Sequence, residues 1–381
     1  MSLTPRQRVL CALNHEEPDR VPIFFGTSSP TTMLIPAYER FKDYLGIHRE
    51  PQCFSKVQQY AQLDEEVMER FHSDGRPLSP KSGPPVLRKE ISPTAVIDDW
   101  GVKWEMPPST MYYEMTEHPL RDATIADLER RPWPDLGHPS RFAGLADEAR
   151  QMHENTPYAV VALGYMQIFD MGLFLRGLEQ WMMDLAGDPD FAHALLRKST
   201  DLMIRAAEGY LAEVGPYIDL ITVSDDLGSQ NGPLISPKMY REMIKPYHAE
   251  LIAVIKSHSK AKVFFHSCGD VYALIGDLID VGIDVLNPVQ VSATGMADTA
   301  RLKREFGRHL TFCGGIDTRW VLPRGSTDDV RAEVRRRIKD LAPGGGYILS
   351  AVHCIQPDVP PENVVAMFEE AAVAGRYPLR M

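Results

Sequence analysis

The segment Phe264-Phe265-His266-Ser267-Cys268-Gly269-Asp270 sets an imidazole and a thiol two residues apart. On an extended backbone residues i and i+2 share a face, so His266 and Cys268 converge while Phe265 and Ser267 point away. Zinc accepts both nitrogen and sulfur, which makes this pair half of a zinc site. Gly269 lets the chain turn sharply just after it. A second histidine and thiol stand together in Ala351-Val352-His353-Cys354-Ile355-Gln356-Pro357. Neighbours on a strand face oppositely, so one of His353 and Cys354 is expected to point inward. A third ligand from this segment would leave a fourth position open, as in catalytic zinc. The alternative is a satisfied strand-end histidine beside a buried thiol.

Other polar residues punctuate similar apolar runs. In Ser224-Asp225-Asp226-Leu227-Gly228-Ser229-Gln230, two adjacent carboxylates offer one ligand or general acid/base and one helper, or else a pair that caps a turn. Asp226 lies two residues beyond Ser224, shares its face if the strand persists, and is the catalytic candidate. Asp225 and Gln230 are candidates for holding substrate. Asn287-Pro288-Val289-Gln290 adds amide donors and acceptors at Asn287 and Gln290. In Gly314-Gly315-Ile316-Asp317 the glycines permit close approach of a bound molecule, with Asp317 beside it. Phe71-His72-Ser73-Asp74 directs Asp74 toward the same mouth, as a second catalytic candidate. Cys313 reads as a core cysteine, and Cys11, Cys53 and His118 have no partner pattern.

These residues form one site only if the fold brings their segments to one end. Eight short β-rich runs recur along the chain: Val21–Phe25, Arg70–Arg76, Tyr158–Gly164, Asp219–Ser224, Lys262–Ser267, Asp284–Val289, Leu310–Gly315 and Gly346–Val352. Helical stripes separate them, such as Val271, Leu274, Ile275, Leu278 and Ile279, or Val330, Val334, Ile338 and Leu341. Eight strands alternating with helices predict an α/β fold, a (β/α)8 TIM barrel, whose reactive groups sit at the C-terminal strand ends. An open doubly wound sheet would carry a glycine-rich first turn, and none follows Phe25. Residues 77–134 interrupt the rhythm with Pro, Ser, Trp and short alternating runs, Trp100–Trp104 and Met111–Glu114. They predict a hairpin-rich insertion after the second strand, as a lid, a subunit contact or a surface excursion.

The chain has 381 residues, taken as a single domain over 1–381, with 44% hydrophobic and 24% charged residues. No apolar run is long enough to span a membrane, and no signal peptide is expected at the start. Lys plus Arg is 41 against 52 Asp plus Glu, a net charge of −11 that disfavours nucleic acid as partner. Five scattered cysteines predict a reducing, cytoplasmic setting rather than a disulfide scaffold.

Taken in order, these motifs resemble the uroporphyrinogen decarboxylase superfamily, which also contains zinc- and corrinoid-dependent methyltransferases. The likeness runs from Arg6–Leu13 and Glu17-Pro18-Asp19-Arg20-Val21-Pro22 through Phe264–Asp270 and Gly282–Pro288 to Val352–Asn363. It implies a TIM barrel, a cytoplasmic enzyme and often a homodimer. The decarboxylases carry an arginine-rich segment after the first strand that holds substrate carboxylates. Here Phe25-Gly26-Thr27-Ser28-Ser29-Pro30-Thr31-Thr32 contains no arginine, which argues against a polycarboxylate. Asp74 nevertheless looks like the aspartate that coordinates pyrrole N–H groups there, and His353 matches a decarboxylase histidine. The methyltransferase branch is marked by His-x-Cys and a later third zinc ligand, usually Cys. Alignment on Pro357 puts His353 at that position, with Cys354 one residue beyond as the alternative. The resemblance thus implies methyl transfer between a small molecule, either methyl donor or thiol acceptor, and a corrinoid protein acting in trans. No cobalamin-binding Asp-x-His-x-x-Gly motif is present. A metal-free decarboxylase-like enzyme and a non-catalytic binding barrel are the other readings.

Overall fold

The computed structural model describes residues 3–110 and 112–379, so Met111 of the expected run Met111–Glu114 lies outside the described residues. Strands β1 (Gln52–Ser55) and β2 (Tyr60–Gln62) pair as a small ribbon, and β3 (Gly75–Leu78) begins the main sheet. An antiparallel sheet follows: β4 (Lys89–Ser92), β5 (Ala95–Ile97), β6 (Lys103–Glu105) and β7 (Glu114–Glu117). The main sheet then continues with β8 (Ala159–Met166), β9 (Leu220–Ser224), β10 (Lys262–His266), β11 (Val285–Asn287), β12 (Thr311–Ile316) and β13 (Tyr347–Ala351). Its seven strands are parallel in the order β13-β12-β11-β10-β9-β8-β3, each joined to the next by helical crossovers. The sequence predicts eight strands. The first run, Val21–Phe25, makes only an isolated bridge, Ile23 to Leu349 on β13, while its Ile23 carbonyl accepts the Asp74 N–H beside β3.

Two apolar clusters explain why the sheet curls. Val161 and Leu163, Leu220, Phe264, Val285, Cys313 and Ile348 pack together with Phe24, all inside the curve, and Val9 and Leu13 of the helix Pro5–Leu13 close its N-terminal end. The alternate residues Val263 and Phe265 join the second cluster, between sheet and helices. Strands buried on both faces are what a helix-covered parallel sheet requires. The inward set also fixes the site: His266 follows inward Phe264 by two residues and therefore faces the interior.

The second strand departs from expectation. Residues 65–70 form a helix with Glu65 and Glu66 in its first turn, and His72 takes a left-handed backbone (φ 57°) that breaks any extension through Phe71–Asp74. The strand begins only at Gly75. Asp74 thus lies at its N-terminal edge, away from the mouth.

Candidate functional site

The C-terminal ends of β9, β10 and β11 lie abreast, with His266 in register with Ser224 on one side and Asn287 on the other. His266 Nδ1–H donates to Asn287 Oδ1 at 2.6 Å, which leaves the Nε2 lone pair free. That Nε2 stands 3.4 Å from Cys268 Sγ. His353, just past β13, completes a group in which one ligand atom from each of His266, Cys268 and His353 lies within 4.8 Å of the others. The turn that brings Cys268 round depends on Gly269 (φ 86°), where a Cβ would come within 2.4 Å of the Gly228 carbonyl carbon. Asp226 Oδ1 accepts the Cys268 N–H at 2.8 Å, and Gln290 Oε1 accepts the Gly269 N–H at 2.7 Å, so the loop is held from both sides.

This donor set suits zinc. Tetrahedral zinc with Zn–N near 2.0–2.1 Å and Zn–S near 2.3 Å needs N-to-S separations of about 3.5 Å, and the His266–Cys268 pair meets that. Asn287 supplies the outer hydrogen bond that metal-bound histidines require. Cys354 is buried behind the group, where His353 Nδ1 lies 3.1 Å from its sulfur and Gln356 Nε2 donates to it at 3.2 Å. Burial pushes its thiol up to about 12.

His266, His353 and Asp226 line a cavity of about 650 Å³. Asp225 does not. Its side chain is fully buried and accepts the N–H groups of Ile168 and Asp170 and a 2.7 Å bond from His248 Nε2, so it anchors the helix Phe169–Arg176 instead of meeting substrate. Gln230 is also turned away, donating to the Ser292 carbonyl and accepting from Arg319. Asp317 caps the turn that follows β12 by accepting the Arg319 N–H at 2.7 Å. Asn287 and Gln290 support the ligand loops from behind. Asp74, expected at the mouth, is fully buried at the other end of the sheet, in ion pairs with Arg8 (2.6 Å) and Arg20 (2.8 Å). These five placements correct the expected substrate-binding set, and the sixth removes Asp74 from the catalytic one.

Sequence reasoning missed other cavity residues. Asp170 lines it, receiving the Asp226 N–H at 3.0 Å and a Gln167 amide at 2.9 Å. Burial, with Asp225 and Asp226 close by, raises its carboxyl well above the usual range. Tyr165 enters from an irregular stretch of β8, where it takes φ 49°. There a Cβ on Gly164 would lie 2.2 Å from the Thr222 carbonyl oxygen. Trp104, Tyr113, Glu114, Met115 and His118 come from the antiparallel sheet and its exit. Gly164 before a polar residue was the one visible hint, since a strand glycine often marks an irregularity.

Burial drives the His353 imidazole down to about 4, with His266 beside it adding to the effect. Burial also raises the Cys268 thiol well above its ordinary value, reinforced by Asp226. Without metal the site thus favours a neutral imidazole and a neutral thiol. The folded pKa of His353 is depressed below its ordinary 6.5, so its contribution to stability is present above about 6.5 and is lost as pH falls toward 4. Thermal melts of metal-free protein at pH 7 and pH 4.5 should therefore show a larger drop for wild type than for His353→Gln. Equal drops would mean that His353 does not titrate in this window.

Comparisons with known proteins agree with this architecture. Residues 94–373 match the family described as uroporphyrinogen decarboxylase (URO-D). A uroporphyrinogen decarboxylase of Thioalkalivibrio sulfidiphilus is 26% identical over 196 residues, covering 50% of this chain and 51% of that protein. The methylcobamide:CoM methyltransferase MtaA of Methanosarcina barkeri is 27% identical over 175 residues, covering 45% and 47%. The chain thus spans about half the length of these curated relatives. A solved methyltransferase from Methanosarcina mazei shares the fold at a TM-score of 0.66 and 19% identity, over 98% of this chain and 99% of that one. The match across most of the chain, on a helix-covered parallel sheet, makes this protein a member of the uroporphyrinogen decarboxylase family.

Proposed function

We propose that the chain is a zinc-dependent methyltransferase that moves a methyl group between a small molecule and a corrinoid protein acting in trans. The observation that carries this reading is the meeting of ligand atoms from His266, Cys268 and His353, the two histidines lining the cavity. The relative named for methylcobamide supports the corrinoid partner. The reading takes residues 1–381 as one cytoplasmic domain, commonly paired as a homodimer. Its scaffold is a (β/α)8 barrel with Val21–Phe25 as first strand and the antiparallel strands as an insertion over the mouth. Supporting the first strand, Phe24 donates to the Leu349 carbonyl while Ile23 accepts from Asp74. Among the described residues no helix is long and apolar enough to cross a membrane.

Bound zinc would supply Lewis acidity, lowering a thiol's pKa or polarising a heteroatom–methyl bond. The chain's own residues prepare for it. Asn287 orients His266, Asp226 and Gln290 fix the Cys268 loop, and Cys268 must surrender its thiol proton on binding. Asp170, its carboxyl raised by burial and by the neighbouring Asp225 and Asp226, accepts the Asp226 N–H from the cavity wall. The decarboxylase reading loses its aspartate, because Asp74 is consumed by Arg8 and Arg20 outside the cavity. Incubation with uroporphyrinogen should therefore give no stepwise loss of acetate carboxyls. Decarboxylation at an ordinary enzymatic rate would overturn the reading. Its positive test is transfer of methyl between methylcobalamin-loaded corrinoid protein and a panel of thiols, ethers and amines, with zinc-replete and chelator-stripped enzyme compared.

A further inference from the structure

The cavity walls differ sharply in charge from what an anionic substrate needs. Three acidic side chains line the space, Glu114, Asp170 and Asp226, and among the described residues lining it there is no lysine or arginine. Its histidines are already engaged. His266 and His353 belong to the ligand group, and His118 Nδ1 is hydrogen-bonded to the Phe174 carbonyl at 2.8 Å. Away from the ligand group, a carboxylate, sulfonate or phosphate brought here would lose its hydration without gaining a cationic side chain. Aromatic rings supply much of the remaining wall: Tyr60, Trp104, Tyr113, Tyr165 and Phe174. Trp104 and Phe174 meet edge to face at 6.2 Å between centroids, and Trp104 is fixed by its Nε1–H bond to Asp98. Ring faces attract cations, most strongly where water is excluded, and a carboxylate such as Glu114 beside them adds to that attraction.

We infer that the small-molecule partner of this enzyme carries a positive charge, as an amine or methylated ammonium group seated among Trp104, Phe174, Tyr113 and Glu114. This rests on the cavity being the methyl-transfer site proposed above and names the substrate class of that site. The wall near the ligand group receives the reacting end, and the antiparallel sheet receives the cationic end.

The test is a calorimetric titration with three probes of matched shape: choline, its neutral isostere 3,3-dimethylbutan-1-ol, and the anion 3,3-dimethylbutanoate. Each is run on zinc-replete and on chelator-stripped wild-type protein and on Glu114→Gln, whose side chain is exposed and whose fold should be intact. The expected result on chelator-stripped protein is choline bound at least tenfold tighter than the alcohol, no detectable binding of the anion, and a several-fold loss for choline alone in Glu114→Gln. Equal or tighter binding of the alcohol or the anion to the stripped protein overturns the inference, as does no binding of any probe at millimolar concentration. A choline preference in protein that takes up no zinc would leave this inference standing while removing the zinc-dependent reading. Zinc uptake with methyl transfer but an anion preference would do the reverse.

Discussion

Wild-type protein purified without chelator should carry near one zinc per chain, and Cys268→Ala should lose at least about a hundredfold in zinc affinity. Structural zinc sites with a full ligand set are worth about 10–16 kcal/mol, so deleting one thiolate removes several kcal/mol, and each 1.4 kcal/mol is tenfold. The fold should survive. The sheet's inner cluster and the helix-facing cluster are built without Cys268, whose side chain belongs to a loop beyond β10. Affinity should also rise with pH, because the thiol, raised by burial and by Asp226, gives up its proton when it binds metal. His353→Ala should weaken zinc comparably, whereas Cys354→Ala should leave it nearly unchanged, since the Cys354 sulfur is engaged by Gln356 behind the group. Metal analysis with competition against a chromophoric chelator measures all three. Wild-type protein that is metal-free and refuses zinc would sink the assignment. Loss of zinc in Cys354→Ala with retention in His353→Ala would exchange the third ligand.

The reasons for what was legible in the sequence are local. His266 and Cys268 could be read because a two-residue spacing on a strand has one geometric meaning, and Phe264, two residues earlier, faces inward as a barrel-lining residue does. The preference for Asp226 over Asp225 came from the same alternation. The alternation argument fails where the backbone leaves the extended region. Phe71-His72-Ser73-Asp74 reads as a strand end, yet the left-handed His72 makes it a helix exit, and Asp74 ends at the wrong edge of the sheet. Gln230, Gln290 and Asp317 lie beyond strand ends, where loops choose partners by proximity that no spacing encodes. The sequence offers the antiparallel segment as a lid, but which of its residues line the cavity is not legible, for a related reason. Trp104 and Glu114 reach the site through tertiary packing of residues far away in sequence.

The two adjacent aspartates should fail in different ways. Asp225 accepts two backbone N–H groups, from Ile168 and Asp170, and a histidine N–H, all buried, with His248 braced in turn by the Tyr240 hydroxyl at 3.1 Å. Asp225→Ala leaves those donors without acceptors, at roughly 1–3 kcal/mol each before relaxation, so a net cost of about 3 kcal/mol is expected. In a chain this long that corresponds to about 4 °C in Tm. Asp225→Asn should recover much of it. The amide oxygen can accept from Ile168 and Asp170, and the amide N–H can donate to His248 Nε2 once the ring proton moves to Nδ1 and is given to Tyr240. Asp226 is different. Its side chain is 45% exposed, lies 3.9 Å from His266 Nε2, and holds the Cys268 N–H. Asp226→Asn keeps an oxygen for that N–H, so the melt should barely move, but the charge facing the ligand group is gone. Groups that orient metal ligands are commonly worth about 10–100-fold in affinity or activity, and methyl transfer should fall by about that much. Melting curves and rates on the same four proteins, wild type included, separate the roles. If Asp226→Asn instead melts early while Asp225→Ala keeps its Tm and loses turnover, the inward carboxylate is Asp225, and β9 presents the opposite face to the cavity.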